Sequence, residues 1–229
     1  AGFFKPFKIF ASSKKGYGVS DMTKQIATEK SFSKQINLGV EKDGFSYVFQ
    51  ATGGTPERNV QKVIELMGGI DKFIGKNDII VLKPNAQWWN QGMTNTDAMK
   101  GFIDLVLSIP EFSGEIIIAE NHQYQAHDSR GWSTKERNGK YNLNELVEHY
   151  HKNGHRNVSK YHWRAAGKCS VPLEGDAQGN SRVNGPEDGD GYVWMEECSY
   201  LSPSGRKCVM SYPVFTSPHS GITVDLKNG

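Results

Sequence analysis

The chain has 229 residues, and its 27 lysines and arginines against 25 aspartates and glutamates give a formal net charge of +2. Hydrophobic residues make up 37% of the sequence, and this share together with the small net charge excludes a disordered chain. The small net charge also argues against nucleic acid as a partner, because no excess of cations is available to release counterions from phosphates. No apolar segment approaches the ~20 residues of a membrane-spanning helix, so we expect no membrane span.

Residues 1–44 are polar and irregular, and we predict an N-terminal arm that packs on the domain through its phenylalanines. The phenylalanines lie near the start of the chain: Phe3, Phe4, Phe7 and Phe10. The first residues are Ala1 and Gly2 rather than Met, which is typical of a chain whose leader has been removed or of a segment of a longer chain. We therefore expect a periplasmic or extracellular protein, with a cytoplasmic location as the alternative.

A strand and then a helix are predicted directly after this arm. Residues 45–51 are rich in aromatic and β-branched side chains, as strands are. Thr55 is a typical cap residue, and Pro56 suits the first position of a helix. The apolar residues that follow recur at helical spacing on one face: Val60, Val63, Ile64 and Met67.

A βαβ unit is predicted over residues 78–120. Residues 78–83 and 115–120 are short and continuously apolar, which is typical of strands buried on both faces of a parallel sheet. Residues 96–108, between them, carry the apolar stripe of a helix, and Pro110 ends it. Two parallel strands joined in this way run in the same direction, so both end at the same edge of the sheet.

The rest of the chain is predicted to complete a single α/β domain over residues 45–229. A third helix is predicted over residues 142–153, inside an otherwise irregular insertion at residues 122–192. A β-hairpin is predicted from residues 192–200 and 207–215. The predicted fold class is therefore α/β, with a mainly parallel or mixed sheet, flanking helices, a hairpin and long polar loops.

The three cysteines, Cys169, Cys198 and Cys208, form no Cys-x-x-Cys pair. A cysteine-ligated iron–sulfur cluster or zinc ribbon is therefore not expected within this chain. Cys198 and Cys208 are equally distant from Pro203, so they can face each other across the hairpin. Two interpretations stay open: a cross-strand disulfide if the compartment is oxidising, or two reduced thiols.

A candidate site lies at the carboxyl edge of the predicted sheet, where open α/β sheets bind ligands. The first strand of the βαβ unit ends in Lys83-Pro84-Asn85, and the second ends in Glu120-Asn121-His122. The helix between them starts at Thr94-Asn95-Thr96-Asp97, so its amide donors and positive dipole end are expected nearby. The alternative is structural, with Lys83 and Glu120 as an ordinary ion pair and the threonines as caps.

Several motifs together resemble the DUF362 family, a domain of unknown function. They are Lys83-Pro84-Asn85 after an apolar strand, Gly92 and Thr94-Asn95-Thr96 before a helix, Glu120 at the end of the next strand, and the terminal His219, Gly221-Ile222-Thr223 and Lys227-Asn228-Gly229. The resemblance covers residues 45–229, with an atypical stretch between residues 122 and 194. It implies an α/β domain of unsettled activity that often lies beside ferredoxin-like iron–sulfur segments, whose cluster motif this chain does not contain.

The resemblance also implies which residues form the site. It groups side chains from both strand ends with side chains from the end of the chain: Lys83, Asn85, Glu120, His219, Lys227 and Asn228. Family chains continue beyond a Lys-Asn-x-Gly-like segment, so we expect that this site is incomplete at its C-terminal part.

The function predicted from these residues is the binding of a small anionic ligand or a divalent metal, and the sequence leaves open whether the protein is an enzyme. In the enzyme hypothesis Lys83, Glu120 and His219 are catalytic, with lysine as the cation and the other two as proton-transfer groups. The expected ligand-binding residues are Asn85, Thr94, Asn121, Lys227 and Asn228. In the metal-dependent form of this hypothesis, the metal ligands are Glu120, His122 and His219.

A hypothesis of a different class is a non-catalytic extracellular or surface protein that uses the fold for assembly into an oligomer. It depends on the long polar loops, on the first residues of the chain and on the aromatic residues, which make up 11% of the sequence. Exposed strand edges would favour this hypothesis, because such edges recruit partner chains.

Overall fold

The computed structural model describes residues 41–42, 45–46, 48–85, 93–121, 137–163, 178–179 and 182–226. These residues belong to the unit Leu38–Gly229. Most of the predicted N-terminal arm, including its phenylalanines, lies outside them, so its packing stays a prediction. Within the described ranges no helix has the length and apolar character needed to cross a membrane.

The described residues form helices on one side of a parallel sheet and a second sheet on its other side. The helices are α1 (Pro56–Leu66), α2 (Thr96–Leu107) and α3 (Leu143–Lys152). The strands are β1 (Glu41–Lys42), β2 (Phe45–Ser46), β3 (Ile79–Leu82), β4 (Glu115–Asn121), β5 (Val158–Trp163), β6 (Gln178–Gly179), β7 (Arg182–Val183), β8 (Gly191–Leu201), β9 (Lys207–Thr216) and β10 (Thr223–Asp225). Short 3-10 turns occur at Ile70–Lys72 and Pro186–Asp188. The predicted α/β fold class is confirmed.

Each of the three helices begins at a capping residue, of which the sequence analysis predicts Thr55. The Thr55 hydroxyl caps α1, and Pro56 takes its first position. Asn142 caps α3 in a reciprocal capping box with Glu145, in which each side chain accepts a hydrogen bond from the other residue's backbone N–H. The predicted stripe of α2 supplies its buried apolar residues: Met99, Ile103 and Val106. Caps therefore fix where the helices start, and the apolar stripes give α2 and α3 their buried faces, whereas α1 has no fully buried residue.

The parallel sheet has the strand order β3-β4-β5-β6. Ile116 and Ile118 of β4 pack in one core with Ile103 of α2 and Leu146 of α3. Ile117, between them in the strand, belongs to the core on the opposite face of the sheet. Because β4 is covered on both faces, its residues 116–119 are all apolar rather than alternating with polar ones.

The second sheet, with the order β10-β9-β8-β7, covers the face of the parallel sheet that is turned away from the helices. The predicted hairpin forms its central pair, β8 and β9, which are antiparallel. Phe215 of β9 contacts the parallel sheet, with its ring centroid 4.5 Å from that of Tyr161 and 5.5 Å from that of Trp163. The described part of the domain thus has three layers, which are helices, parallel sheet and mixed sheet.

Two strand predictions are corrected by the structure. Residues 48–51 have no regular structure, so the strand predicted over residues 45–51 is reduced to β2. Strand β5 was not predicted, because Lys160 and His162 interrupt its apolar residues. The segment assigned to an irregular insertion therefore contains one of the core strands.

Of the two interpretations left open for Cys198 and Cys208, the structure has the second, since both residues are free thiols. The hairpin is centred later than the cysteine spacing suggests, so Cys208 lies opposite Tyr200. Cys198 falls within a bulge between Met195 and Ser199, which displaces it from the regular register. The third cysteine lies outside the described residues.

Two glycines allow backbones to approach more closely than a side chain would permit. A Cβ on Gly101 of α2 would lie 2.7 Å from the Cα of Glu57, so this glycine sets the separation of α1 and α2. A Cβ on Gly114 would lie 2.1 Å from the carbonyl oxygen of Asp78, next to the start of β3. Both positions are close contacts with backbone, which cannot move aside as a flexible side chain can.

Candidate functional site

Lys83 and Glu120 meet at the carboxyl edge of the parallel sheet. Lys83 follows β3, Glu120 lies near the end of β4, and the Lys83 Nζ is 2.6 Å from the Glu120 Oε2. The Glu120 side chain is 0% exposed, whereas that of Lys83 is 56% exposed. The pair therefore consists of a carboxylate inside the domain and an ammonium group that reaches solvent.

The strand register explains why these two residues meet. Leu82, the last residue of β3, pairs with Ile118 of β4, so the chain leaves β3 beside the last residues of β4. Pro84 is buried and, as a proline, restricts Lys83 to an extended conformation. The predicted convergence of the two strand ends is therefore present in the structure.

Asn85 and Thr94 are brought together by a reciprocal pair of hydrogen bonds. The Asn85 N–H donates to the Thr94 Oγ1 (2.8 Å), and the Thr94 N–H donates to the Asn85 carbonyl oxygen (2.8 Å). Residues 86–92 lie outside the described residues. Two residues predicted to bind ligand are thus bonded to each other close to Lys83.

The amino end of α2 uses its donors internally. The Asn95 Oδ1 accepts hydrogen bonds from the N–H groups of Asp97 and Ala98, each at 3.0 Å. The Thr96 N–H donates to the Asn138 carbonyl oxygen (2.7 Å), and the Thr96 Oγ1 to the carbonyl oxygens of Asn138 and Tyr141. The prediction that this helix start offers amide donors to an anion is therefore corrected, since its first turn is already capped.

His219 lies at the opposite end of β4. Its N–H donates to the Ser217 Oγ (3.1 Å), and that hydroxyl donates to the Oε2 of Glu115, the first residue of β4 (2.6 Å). Glu115 and Glu120 are five residues apart in one strand, about 16 Å at ~3.3 Å per residue. The structure thus brings Lys83 to Glu120 but does not bring His219 to them, and the predicted catalytic set is reduced to two residues.

The surroundings of Glu115 form a structural clamp rather than a nucleophilic triad. The Ser217 and Ser220 hydroxyls each donate to one oxygen of the Glu115 carboxylate, both at 2.6 Å. In a triad the serine proton is directed to an imidazole, and the carboxylate orients that imidazole from its other side. Here both serine protons go to the carboxylate directly, so the arrangement ties the turn after β9 to the parallel sheet.

The predicted metal site is not assembled by the described residues. His219 lies at the other end of β4 from Glu120, and His122 lies outside the described residues. Within the described ranges no three histidine, cysteine, aspartate or glutamate residues are grouped so that they could hold a metal ion. Asn121, another predicted ligand-binding residue, ends β4 opposite Trp163, but its side chain is not among the described parts of the structure. Lys227 and Asn228 lie outside the described residues entirely.

Lys160 is a candidate that the sequence analysis did not identify. It lies in β5, paired with Ile118 of β4, and is 5% exposed. Val158 of β5 belongs to the helix-side core, so by strand alternation Lys160 shares the face of Ile118 and Glu120. The available signal was Tyr161 and Trp163 at alternate positions of β5, which indicates a strand, but the burial of Lys160 follows only from its place beside β4.

A separate titratable cluster joins α2 and α3. The Tyr150 hydroxyl donates to the Asp104 Oδ1 (2.8 Å) and to the Lys100 carbonyl oxygen (3.1 Å), and the Lys100 Nζ is 2.6 Å from the Asp104 Oδ2. Burial, together with the hydrogen bond to Asp104, raises the pKa of Tyr150 far above its usual value. The hydroxyl therefore stays protonated, and the cluster acts as a buried connection between helices.

No family model matches this chain, and neither a curated protein nor a solved structure matches it. The resemblance to the DUF362 family rests on the motifs alone and stays a prediction. The function is therefore argued from the geometry of the described residues.

Proposed function

We propose that this protein binds a small anionic ligand at the carboxyl edge of its parallel sheet, with Lys83 as the cation that the ligand meets. The observation behind the proposal is the 2.6 Å pair between a fully buried carboxylate and a solvent-exposed ammonium group. Strand ends at this edge are the usual binding position in open α/β sheets. The resemblance of Lys83-Pro84-Asn85 and Glu120 to DUF362 motifs supports the same location.

Glu120 gives Lys83 a fixed position, which an isolated surface lysine does not have. A lysine ammonium has three N–H donors, and the bond to Glu120 directs one of them inward. The others can be offered to an oxyanion, and less side-chain entropy is lost on binding because the lysine is already held. Glu120 also provides a carboxylate beside the bound ligand, so proton transfer there is the proposed chemistry if the protein is an enzyme.

The experiment is an anion titration by calorimetry with phosphate and acetate as probes. Lys83→Met and Glu120→Gln are compared with wild type and with Lys152→Met as the matched control. Lys152 forms an exposed pair with Glu148 on α3 (2.7 Å), outside the proposed site. We expect binding by wild type and Lys152→Met, and a loss of about tenfold or more in Lys83→Met. Equal binding by Lys83→Met and wild type would refute the proposal.

A second candidate function, assembly, is favoured by the outer part of the hairpin. Strand β7 pairs only with the start of β8, and β10 only with the end of β9. Beyond them, within the described ranges, β8 and β9 form a two-stranded ribbon that exposes large apolar side chains: Trp194, Tyr200, Leu201 and Met210. Open strand edges with exposed apolar residues are typical of surfaces that pair with another chain.

Sedimentation velocity over a concentration series tests the assembly function. We propose self-association of the wild-type chain, and its reduction in the double variant Leu201→Glu, Met210→Lys. A matched control replaces Val48, which is 80% exposed and is not part of the hairpin, with Glu. A monomer at every concentration, or equal association of all three proteins, would remove this candidate.

A further inference from the structure

We propose that Cys198 and Cys208 form a reversible disulfide, and that its formation slides the outer part of the β8–β9 hairpin by two residues. Three observations support this inference: two free, half-buried thiols in one hairpin, a large bulge in β8, and a turn that fits the present register. This cysteine pair is separate from the proposed anion site, and its oxidation depends on neither proposed function.

The two thiols lie in paired strands but not opposite each other. Cys208 lies opposite Tyr200, and a hydrogen bond between the two side chains raises the pKa of Tyr200. Cys198 comes two residues before Tyr200, and residues two apart in a strand share a face. Diagonal neighbours of this kind are about 7–8 Å apart, whereas a disulfide requires a Cα separation of about 4.4–6.8 Å. The bond therefore requires one strand to move along the other.

The bulge in β8 provides the length for this movement. Val209 and Met210 are consecutive in β9, but they pair with Ser199 and Met195, so residues 196–198 have no counterpart. A slide of the outer part by two residues reduces this bulge to a single extra residue, which is the usual size. Because side chains alternate with a period of two, the slide also keeps every side chain on its face of the sheet.

The slide brings the two cysteines opposite each other. Cys198 then pairs with Cys208, and Ser199 pairs with Lys207. The ion pair between Glu196 and Lys207 spans the bulge in the present register, and the slide brings Lys207 nearer to Glu196 along the strand. The ion pair can therefore persist in both registers.

The turn of the hairpin favours the present register while the thiols are reduced. The Ser202 N–H donates to the Arg206 carbonyl oxygen (2.8 Å), which leaves residues 203–205 as the loop. Gly205 ends this loop with a φ of 75°, the left-handed conformation that three-residue hairpin loops use at this position. After the slide the loop begins one residue earlier and Ser204 takes that position, which lowers the equilibrium constant for the slide by about tenfold. The disulfide and the smaller bulge compensate for this cost.

The oxidation is a thiol–disulfide exchange with a small disulfide, which can reach both half-buried thiols. One cysteine loses its proton to solvent, and its thiolate attacks the small disulfide, forming a mixed disulfide and releasing one small thiolate. The other cysteine loses its proton and attacks the protein sulfur of the mixed disulfide, which releases the second small thiolate. The two cysteines are oxidised, the small disulfide is reduced to two thiols, and the released thiolates take up the two protons.

The slide also changes the exposed surface of the hairpin. Tyr200 and Leu201 move by two residues relative to Met210, and all three are large exposed side chains of the surface proposed for assembly. The redox state of the two cysteines therefore controls the arrangement of that surface.

Oxidation of the chain with glutathione disulfide at low protein concentration tests the bond. Trypsin cleaves after Arg206 and Lys207, so the disulfide joins two otherwise separate peptides, which mass spectrometry identifies in the monomeric fraction. We expect the joined peptides of Cys198 and Cys208 in oxidised wild type, and their separation after reduction. Glutathione adducts or unmodified thiols at both cysteines, without joined peptides, would overturn the inference.

The slide itself is tested by comparing Gly205→Ala, Gly53→Ala and wild type in glutathione redox buffers. Both glycines have positive φ, 75° and 82°, and a Cβ at either position meets open space, so each substitution strains only its own turn. After the slide Gly205 is a strand residue, so alanine there is strained only in the present register. We expect Gly205→Ala to raise the equilibrium constant for disulfide formation by about tenfold, and Gly53→Ala to leave it unchanged. Equal constants for Gly205→Ala and wild type would overturn the proposed slide.

Discussion

Among single residues, the buried charged ones are the most informative about the stability of this domain. Glu120 is fully buried and Lys83 is about half exposed, so removing the lysine takes from a buried carboxylate the ammonium group 2.6 Å away, whereas removing the carboxylate leaves a lysine that water can solvate. The two substitutions should therefore differ in their effect on stability, even though they break the same pair.

We expect Lys83→Met to lower the free energy of unfolding by about 1–3 kcal/mol, below the range for fully buried pairs because solvent screens the exposed lysine. The double variant Lys83→Met, Glu120→Gln should recover part of this loss, since it no longer buries a charge. Urea unfolding followed by circular dichroism measures both. A double variant less stable than Lys83→Met would contradict this account of the pair.

A histidine in α3 should make stability depend on pH. Burial, and then the charge of Lys100, lower the pKa of His149, while Asp104 opposes this effect and Lys140 adds to it. The unfolded chain therefore takes up this proton at a higher pH than the folded chain does. The stability that the neutral ring contributes is fully present above the unfolded pKa of ~6.5 and is lost as the pH falls through the folded pKa.

The expected result is a fall in melting temperature between pH 7.5 and pH 5 that is smaller in His149→Gln than in wild type. His155→Gln is the control, because that histidine is also near Tyr150 but has a different set of neighbours. Identical pH profiles for wild type and His149→Gln would show that His149 does not contribute.

At the scale of elements, the close approach of backbones is set by two glycines. Replacing Gly101 with alanine should raise helix propensity by about 1 kcal/mol but place a methyl group 2.7 Å from the Glu57 backbone. The clash should outweigh the propensity, because overpacking costs about 1–3 kcal/mol and backbone cannot rotate away. We therefore expect a net loss of stability for Gly101→Ala and a larger one for Gly114→Ala.

Chemical denaturation of the two variants checks this expectation, with Gly54→Ala as the control. A Cβ on Gly54 would approach the side chain of Asn59 rather than backbone, so this variant should lose at most the two exposed hydrogen bonds between Asn59 and Gly54 and less stability than Gly101→Ala. A Gly101→Ala variant more stable than wild type would mean that α1 shifts away from α2 without cost.

Sequence predicted the helices well because each signal is local. Caps such as Thr55 and Asn142 sit directly before a stripe of apolar residues, and nothing distant is needed to interpret them. Strand β5 was not predicted because Lys160 interrupts its apolar residues. Only the pairing of β5 with β4 shows that this position is buried. Spacing alone could not decide between paired and free cysteines, because hairpin register depends on the turn and on a bulge, which spacing does not encode.

At the scale of the whole molecule, the site shows the same difference between what the sequence encodes and what only the folded structure decides. Lys83 and Glu120 could be joined from sequence because two consecutive parallel strands must end at one edge. His219 was assigned to them by motif resemblance, which carries no distance, and its turn lies at the other edge of the sheet. Prediction of a site is therefore secure where topology forces residues together.

The Glu115 clamp has a consequence for how the domain tolerates change. It attaches the turn after β9 at one end of β4, while the Lys83–Glu120 pair occupies the other, about 16 Å away along the strand. Sites that far apart with no shared partner lose stability independently, so the effects of Glu115→Gln and Lys83→Met should sum. Anchorage of the second sheet and the proposed ligand binding can then evolve separately, each at its own end of a single strand.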